Sequence, residues 1–179
     1  MRGIFAIDPG EQTGVAWGIV DDSRTALAIE SMGKRIYSGS ETVKGSESEQ
    51  IRELFHLWTT FKRRCVFTHL LEPDQVDLVI EDFVLYPGER PGKKTTAPER
   101  IAWGFEGYRM ASYDDWRRKG KHYSPINWQL ASSASRFFKD RKLMELANAW
   151  IVGREHERSA LAHMILRLNV VLDGRKPLR

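Results

Sequence analysis

Asp8 and Glu81 each close an apolar run, Gly3-Ile4-Phe5-Ala6-Ile7 before the first and Val76-Asp77-Leu78-Val79-Ile80 before the second. A strand that ends on a carboxylate and then turns, as Asp8 does at Pro9-Gly10, delivers that group to the rim of a sheet. Oxygen ligands of this kind suit hard divalent cations such as Mg²⁺. A pair of such ions about 4 Å apart stabilises both the entering and leaving oxygens of a phosphodiester displacement. A third contribution comes late in the chain, where Glu155-His156-Glu157-Arg158-Ser159-Ala160-Leu161-Ala162-His163 places residues 156, 159, 160 and 163 on one helical face. His156 and Ser159 then point together.

The elements that must position these groups follow from periodicity. Thr13 to Gly18 reads as an extended segment returning antiparallel beside the first strand, so Asp8 sits at a hairpin mouth. A mixed apolar run over Thr25–Tyr37 predicts a third strand, ended by the turn-like Ser38-Gly39-Ser40, so that three strands precede any helix. Ser46-Glu47-Ser48-Glu49 has N-cap chemistry, and Ile51, Leu54, Phe55, Trp58 and Phe61 follow at helical spacing to about Arg64. The crossover through that helix makes 76–81 a strand parallel to the first. The stretch from Tyr86 to Pro98, rich in proline, glycine and cations, reads as a long loop. A second helix is predicted from about Pro98 toward Arg118 with Ile101, Phe105 and Tyr108 inward, then a last strand over Tyr123–Leu130. Ser132 and Ser133 can cap a short helix, Asp140 another through Leu146, and a final helix covers His156 to about Leu172.

Size and composition fit one globular domain over residues 1–179: 41% of residues are hydrophobic, enough for a real core. The formal charge of +4 suits a polyanionic partner but does not demand one. A single cysteine, Cys65, excludes an internal disulfide framework and a Cys-rich zinc site, and suits packing on a helix in a reducing, cytoplasmic setting. No apolar stretch approaches the ~20 residues needed to cross a bilayer, and the N-terminus lacks an export signal, so no membrane partner is expected.

Ile-Asp8-Pro-Gly-x-x-Thr-Gly, Val-Ile-Glu81-Asp82 and the late His156-x-x-Ser159-Ala followed by His163 resemble the motif series of RuvC-type Holliday junction resolvases over nearly the whole chain. The resemblance is closest to the phage-borne branch, through Glu81-Asp82-Phe-Val-Leu-Tyr-Pro, Phe138-Lys-Asp-Arg-Lys-Leu143 and Trp150-Ile-Val-Gly. It implies an α/β, RNase H-like fold, a mixed five-stranded sheet flanked by helices. It also implies a homodimeric endonuclease that cleaves branched DNA (Holliday junction, flap or fork) with two Mg²⁺ or Mn²⁺ ions. The host cell cytoplasm would be its location if the chain is phage-encoded. Asp8 and Glu81 match the family's first two metal ligands and His156 the first ligand of the terminal helix. Ser159 departs from the family, which usually places a second helix carboxylate there; serine has no charge to offer, and binds a metal weakly or through water. Glu157 is the nearest spare acid, about 100° around the helix from His156, and needs a bent or shifted helix to reach the site.

Lys93 and Lys94 in the long loop, Arg117, Arg118, Lys119 and Lys121 after the second helix, and Arg136, Lys139, Arg141 and Lys142 before the last one are candidates for phosphate contact. The group near 139 is favoured. The run at 117–121 equally suits a helix C-terminus. Arg136 stands beside the position where related chains tend to show a lysine, and offers a planar fork in its place. Tyr86 could wedge into unstacked bases, whereas Phe83 suits core packing. Asp82 should face the opposite side of its strand from Glu81, and His163 suits packing or DNA contact more than metal. Two other readings remain open: a branched-DNA-binding protein with a weakened or inactive site, and an actin-like or sugar-kinase ATPase, whose usual length is far greater.

Overall fold

The computed structural model describes residues 1–23, 28–82, 96–117 and 125–175. A five-stranded sheet of order β3-β2-β1-β4-β5 forms its centre. β1 (Arg2–Asp8) pairs antiparallel with β2 (Thr13–Val20), which pairs antiparallel with β3 (Tyr37–Val43). On its other edge β1 runs parallel to β4 (Val76–Asp82), and β4 parallel to β5 (Ile126–Leu130). The expected mixed sheet flanked by helices is therefore present.

Alternation along the strands divides the core into two layers. Phe5, Ile7, Val15, Ile19, Leu78 and Ile80 face α2 (Glu47–Arg63) and α3 (Ala97–Arg117), meeting Leu54, Trp58, Phe61, Ile101 and Phe105. Ile4, Ala6, Ala16, Val20 and Val79 face α6 (Glu155–Arg175), meeting Ala160, Leu161, Met164, Ile165 and Leu168. Asp8 and Glu81 continue this second set by the same period of two, so both carboxylates point toward α6. α4 (Ala131–Lys139) and α5 (Arg141–Leu146) complete the α6 side, and the Asp140 side chain caps α5 by accepting from the Leu143 N–H at 3.0 Å.

Several expectations are corrected. The third strand is not at 25–37: a short helix, α1 (Ala28–Gly33), precedes it, burying Ala28, Ser31 and Met32 at helical spacing. Ser38-Gly39-Ser40 is strand and not turn, because Gly39 lies under the Trp17 indole, where any β-carbon would collide with the ring. The α-helix over 47–63 does end near Arg64, as expected, but the chain then widens into a π-helical turn, Arg64–Thr68. That turn buries Cys65, and burial pushes its thiol up to about 12. On α3, Tyr108 is exposed, and Arg109 takes the inward position, its guanidinium 5.8 Å from the Trp58 ring. The aliphatic stem and planar head of arginine cover an indole well, which the apolar spacing did not anticipate. Ser132 and Ser133 lie inside α4 and do not cap it, since the helix starts directly from β5 with Leu130 at the N-cap. Tyr123 and residues 86–95 of the expected loop lie outside the described residues, and Ala97 and Pro98 at its far end already belong to α3. Among the described residues no helix is long and apolar enough to cross a membrane.

Candidate active site

The parallel register sets Ile7 opposite Ile80, and the next residues along the two strands are Asp8 and Glu81. Their carboxyl groups share a hydrogen bond in a nearly dry position, with Asp8 9% and Glu81 7% exposed. Burial first, then the charge and hydrogen bond of Glu81, push Asp8 up to about 9 against the opposing Ser159 hydroxyl. Burial acts the same way on Glu81, but hydrogen bonds from His163, Asp8 and Ser159 outweigh it and hold that group below the ordinary carboxylate range. Two carboxyl groups this close in a dry position favour holding one proton and one negative charge between them.

α6 brings the remaining groups. His156 Nδ1 lies 3.5 Å from Asp8 Oδ2, with its ring partly in solvent. Ser159, nearly one turn on, hydrogen-bonds both carboxyl groups. One further turn along, the fully buried His163 spans two strands, its Nε2 3.1 Å from Glu81 Oε2 and its Nδ1 3.0 Å from Gln129 Oε1. His163 therefore orients Glu81, a role that sequence spacing did not assign. Gln129 was missed altogether; its register opposite Glu81 on β5 was the only signal.

The turn after Asp8 is fixed from the opposite layer. The Gly10 N–H donates to Thr13 Oγ1 at 3.4 Å, and the Thr13 hydroxyl donates to Gln50 Oε1 at 2.6 Å. The Gln50 amide then donates to the Glu11 and Gly45 carbonyls, each at 3.0 Å. A buried glutamine in an otherwise apolar helix face was the available clue to this brace, which the hydrophobic spacing of α2 concealed.

These side chains border a cleft of about 460 Å³ lined by Asp8, Gly10, Glu81, Ser135, His156 and Ser159, among others. Glu155 and Phe138 also border it. Glu157 does not. Its carboxylate, 2% exposed, accepts from the Ser40 hydroxyl at 2.8 Å and the Thr42 hydroxyl at 3.1 Å, on the side of α6 that faces β3. Helical rotation carries it away from Asp8, which removes it from the expected ligand set. It fastens the first turn of α6 to the sheet instead. Glu157→Ala, which strands both hydroxyls and opens a buried gap, is expected to cost about 2–4 kcal/mol of stability. A urea titration with an unshifted midpoint would contradict that role.

The basic candidates divide. Arg136, Lys139, Arg141 and Lys142 are all exposed on α4 and α5, close to the cleft wall formed by Ser135 and Phe138. Arg136 lies over the Phe137 ring at 4.5 Å and is not among the cleft-lining residues, and Arg141 pairs with Glu145 at 2.7 Å. Tyr86, Phe83, Lys93, Lys94, Arg118, Lys119 and Lys121, and the side chain of Arg117, lie outside the described residues.

Among the described residues no three His, Cys, Asp or Glu side chains are gathered in a cluster that could hold a metal. The cleft is lined by three carboxyl groups, Asp8, Glu81 and Glu155, one imidazole, His156, and two hydroxyls, Ser135 and Ser159. Two carboxyl groups forced to share a proton in a dry position are nevertheless the donor chemistry a small cation satisfies, since a cation can replace that proton between them.

No protein-family model matches the sequence, and no curated protein matches it. Solved structures do. The Thermus thermophilus RuvC structure aligns over 99% of this chain and 100% of its own, with 15% identity and a TM-score of 0.50. T. thermophilus RuvC in complex with Holliday junction substrate aligns over the same shares, with 13% identity and a TM-score of 0.55. Likeness at such low identity is a likeness of architecture, and this chain has the RNase H-like fold seen in RuvC.

Proposed function

We propose that this protein is a divalent-cation-dependent endonuclease that cleaves branched DNA, with residues 1–179 acting as one nuclease domain. The observation that carries the reading is the placement of the buried Asp8 and Glu81 carboxyl groups at the ends of adjacent parallel strands, in one cleft with His156 and Ser159 of α6. Asp8, Glu81 and His156 would hold Mg²⁺ or Mn²⁺, with Ser159 contributing a neutral oxygen. A cation there supplies Lewis-acid polarisation of the scissile phosphate and makes an attacking water more acidic. His163 keeps Glu81 aimed into the cleft, and the Gln50 brace keeps the turn after Asp8 from moving.

Branched DNA as substrate is supported by the sequence motifs and by an architecture shared with a protein solved on a Holliday junction. The phage-type branch rests on the motifs alone. Exposed Lys139 and Lys142 grip phosphates in this reading, as do Arg136 and the cations of the long loop, Lys93 and Lys94, with Tyr86 against bases. A homodimer follows from the pairing of cuts that junction resolution requires, and the cytoplasm from the reducing setting that a lone cysteine suits.

Ser159 favours a second reading, a branched-DNA-binding protein whose site has lost metal affinity, because the helix position facing both carboxyl groups carries no charge. Incubating four-way junction, flap and linear duplex with Mg²⁺ and with Mn²⁺ separates the two. The nuclease reading expects cleavage of the branched substrates, linear duplex being spared. Retardation of the junction in a gel without any product would leave the binding reading standing.

A further inference from the structure

Resting on the cation site just proposed, we infer that Glu155 supplies the acidic ligand that Ser159 does not. Glu155 opens α6 and borders the same cleft as Asp8, Glu81, His156 and Ser159. It precedes Ser159 by four residues, so the two lie on one helix face about 40° apart and one turn removed along the axis. The carboxylate absent from position 159 is present one turn earlier, on a side chain longer than aspartate.

Neighbouring residues favour this transfer. Glu157, the other acid of the first turn, is sequestered by Ser40 and Thr42 on the far side of the helix. Ser159 already serves both carboxyl groups of the strand pair, which fills its place with a neutral group and leaves the outer side of the cleft to be closed from α6's first turn. Glu155 is free to do this. Its side chain is 78% exposed, and among the described residues it pairs with the Arg158 guanidinium at 3.6 Å. Arg158 is itself fixed, donating to the Ile151 carbonyl at 2.9 Å and stacking 4.6 Å from the Trp150 ring. The contact is loose, and an ion pair of this length with one largely exposed partner is weak enough for a cation to displace. An exposed acid in the first turn of a helix also stabilises that helix's dipole. That role alone would give Glu155 no dependence on what occupies position 159, and this difference makes the assignment testable.

Mn²⁺ binding to the intact protein, followed by electron paramagnetic resonance and calorimetry without DNA, provides the test. Glu155→Gln is expected to weaken Mn²⁺ binding roughly tenfold or more. Adding Ser159→Asp to Glu155→Gln should restore the affinity, because the carboxylate is returned to the same face one turn on. Asp8→Asn should abolish tight binding in either background. Glu155→Gln binding Mn²⁺ as tightly as the unaltered protein, with Asp8→Asn still deficient, would overturn the role of Glu155 and leave the cation site intact. Failure of Ser159→Asp to rescue a weakened Glu155→Gln would likewise overturn it, reducing Glu155 to a helix-end charge. Absence of Mn²⁺ binding by the unaltered protein would remove the site and this inference together.

Discussion

Asp8→Asn is expected to abolish cleavage of a four-way junction while leaving the junction bound, and at the same time to make the metal-free protein more stable at alkaline pH. The two effects have one origin. Asp8 sits against Glu81 in a position so dry that its carboxyl is pushed up to about 9. An unfolded chain releases that proton near pH 4, so between pH 4 and 9 the folded state binds one proton more than the unfolded state. The stability contributed by this group is complete below pH 4 and declines as pH rises through about 9. Asparagine keeps the shape, donates a hydrogen bond to Glu81 and has nothing to titrate. The variant should therefore melt at least about 5 °C above the unaltered protein at pH 8, the shift that roughly 2 kcal/mol produces in a chain of this size. The difference should shrink at pH 5. Activity moves the other way, because a neutral amide cannot provide the charge that a cation requires; the loss should reach about a thousand-fold, near 4 kcal/mol of barrier. Calorimetric scans over pH and single-turnover cleavage measure both. A variant that cuts at the normal rate would end the nuclease assignment of Asp8, and one with the same melting profile as the parent would deny the shared proton.

Gly14→Ala is the second large effect. Along β2 the residues facing α6 are Gly14, Ala16, Gly18 and Val20, and the glycine at the hairpin mouth, Gly14, lets the first turn of α6 lie against the sheet. A β-carbon on Gly14 would fall inside the carbonyl group of His156, which is backbone and cannot swing aside. Either β2 or α6 must give way. The expected cost is about 3 kcal/mol or more, at the upper end of overpacking penalties. His156 would be carried from its position 3.5 Å from Asp8. Cleavage should fall further than the loss of folded protein explains, since the same displacement separates Ser159 from both carboxyl groups. Denaturant midpoints with activity per folded molecule would show this; a midpoint and rate equal to those of the parent would mean that the helix approach is looser than the geometry indicates.

The chemistry-bearing residues were readable because strand ends and helix faces obey short local periods. Asp8, Glu81 and the 156/159 pair were identified from apolar runs and a helical repeat, and these are the groups that the structure gathers around one cleft. The third strand misled because its residues, Tyr37-Ser-Gly-Ser-Glu-Thr-Val43, are largely polar and only partly buried, so hydrophobic patterning pointed upstream to a stretch that folds in part as a helix. Tyr108 and Arg109 exchanged expected places because a guanidinium over Trp58 is as good a cover as a ring.

The sequence alone determined which side chains could do chemistry, since residue type and period along one strand or helix are local properties. The tertiary structure decided which of them act together. Strand register set Asp8 and Gln129 on either side of Glu81, and helix rotation brought His163 to Glu81 and Gln129 and sent Glu157 to Ser40 and Thr42 while leaving Glu155 at the cleft. Those pairings join residues separated by tens of positions through desolvation and close packing, which act across space and leave no mark on the spacing of residues along the chain.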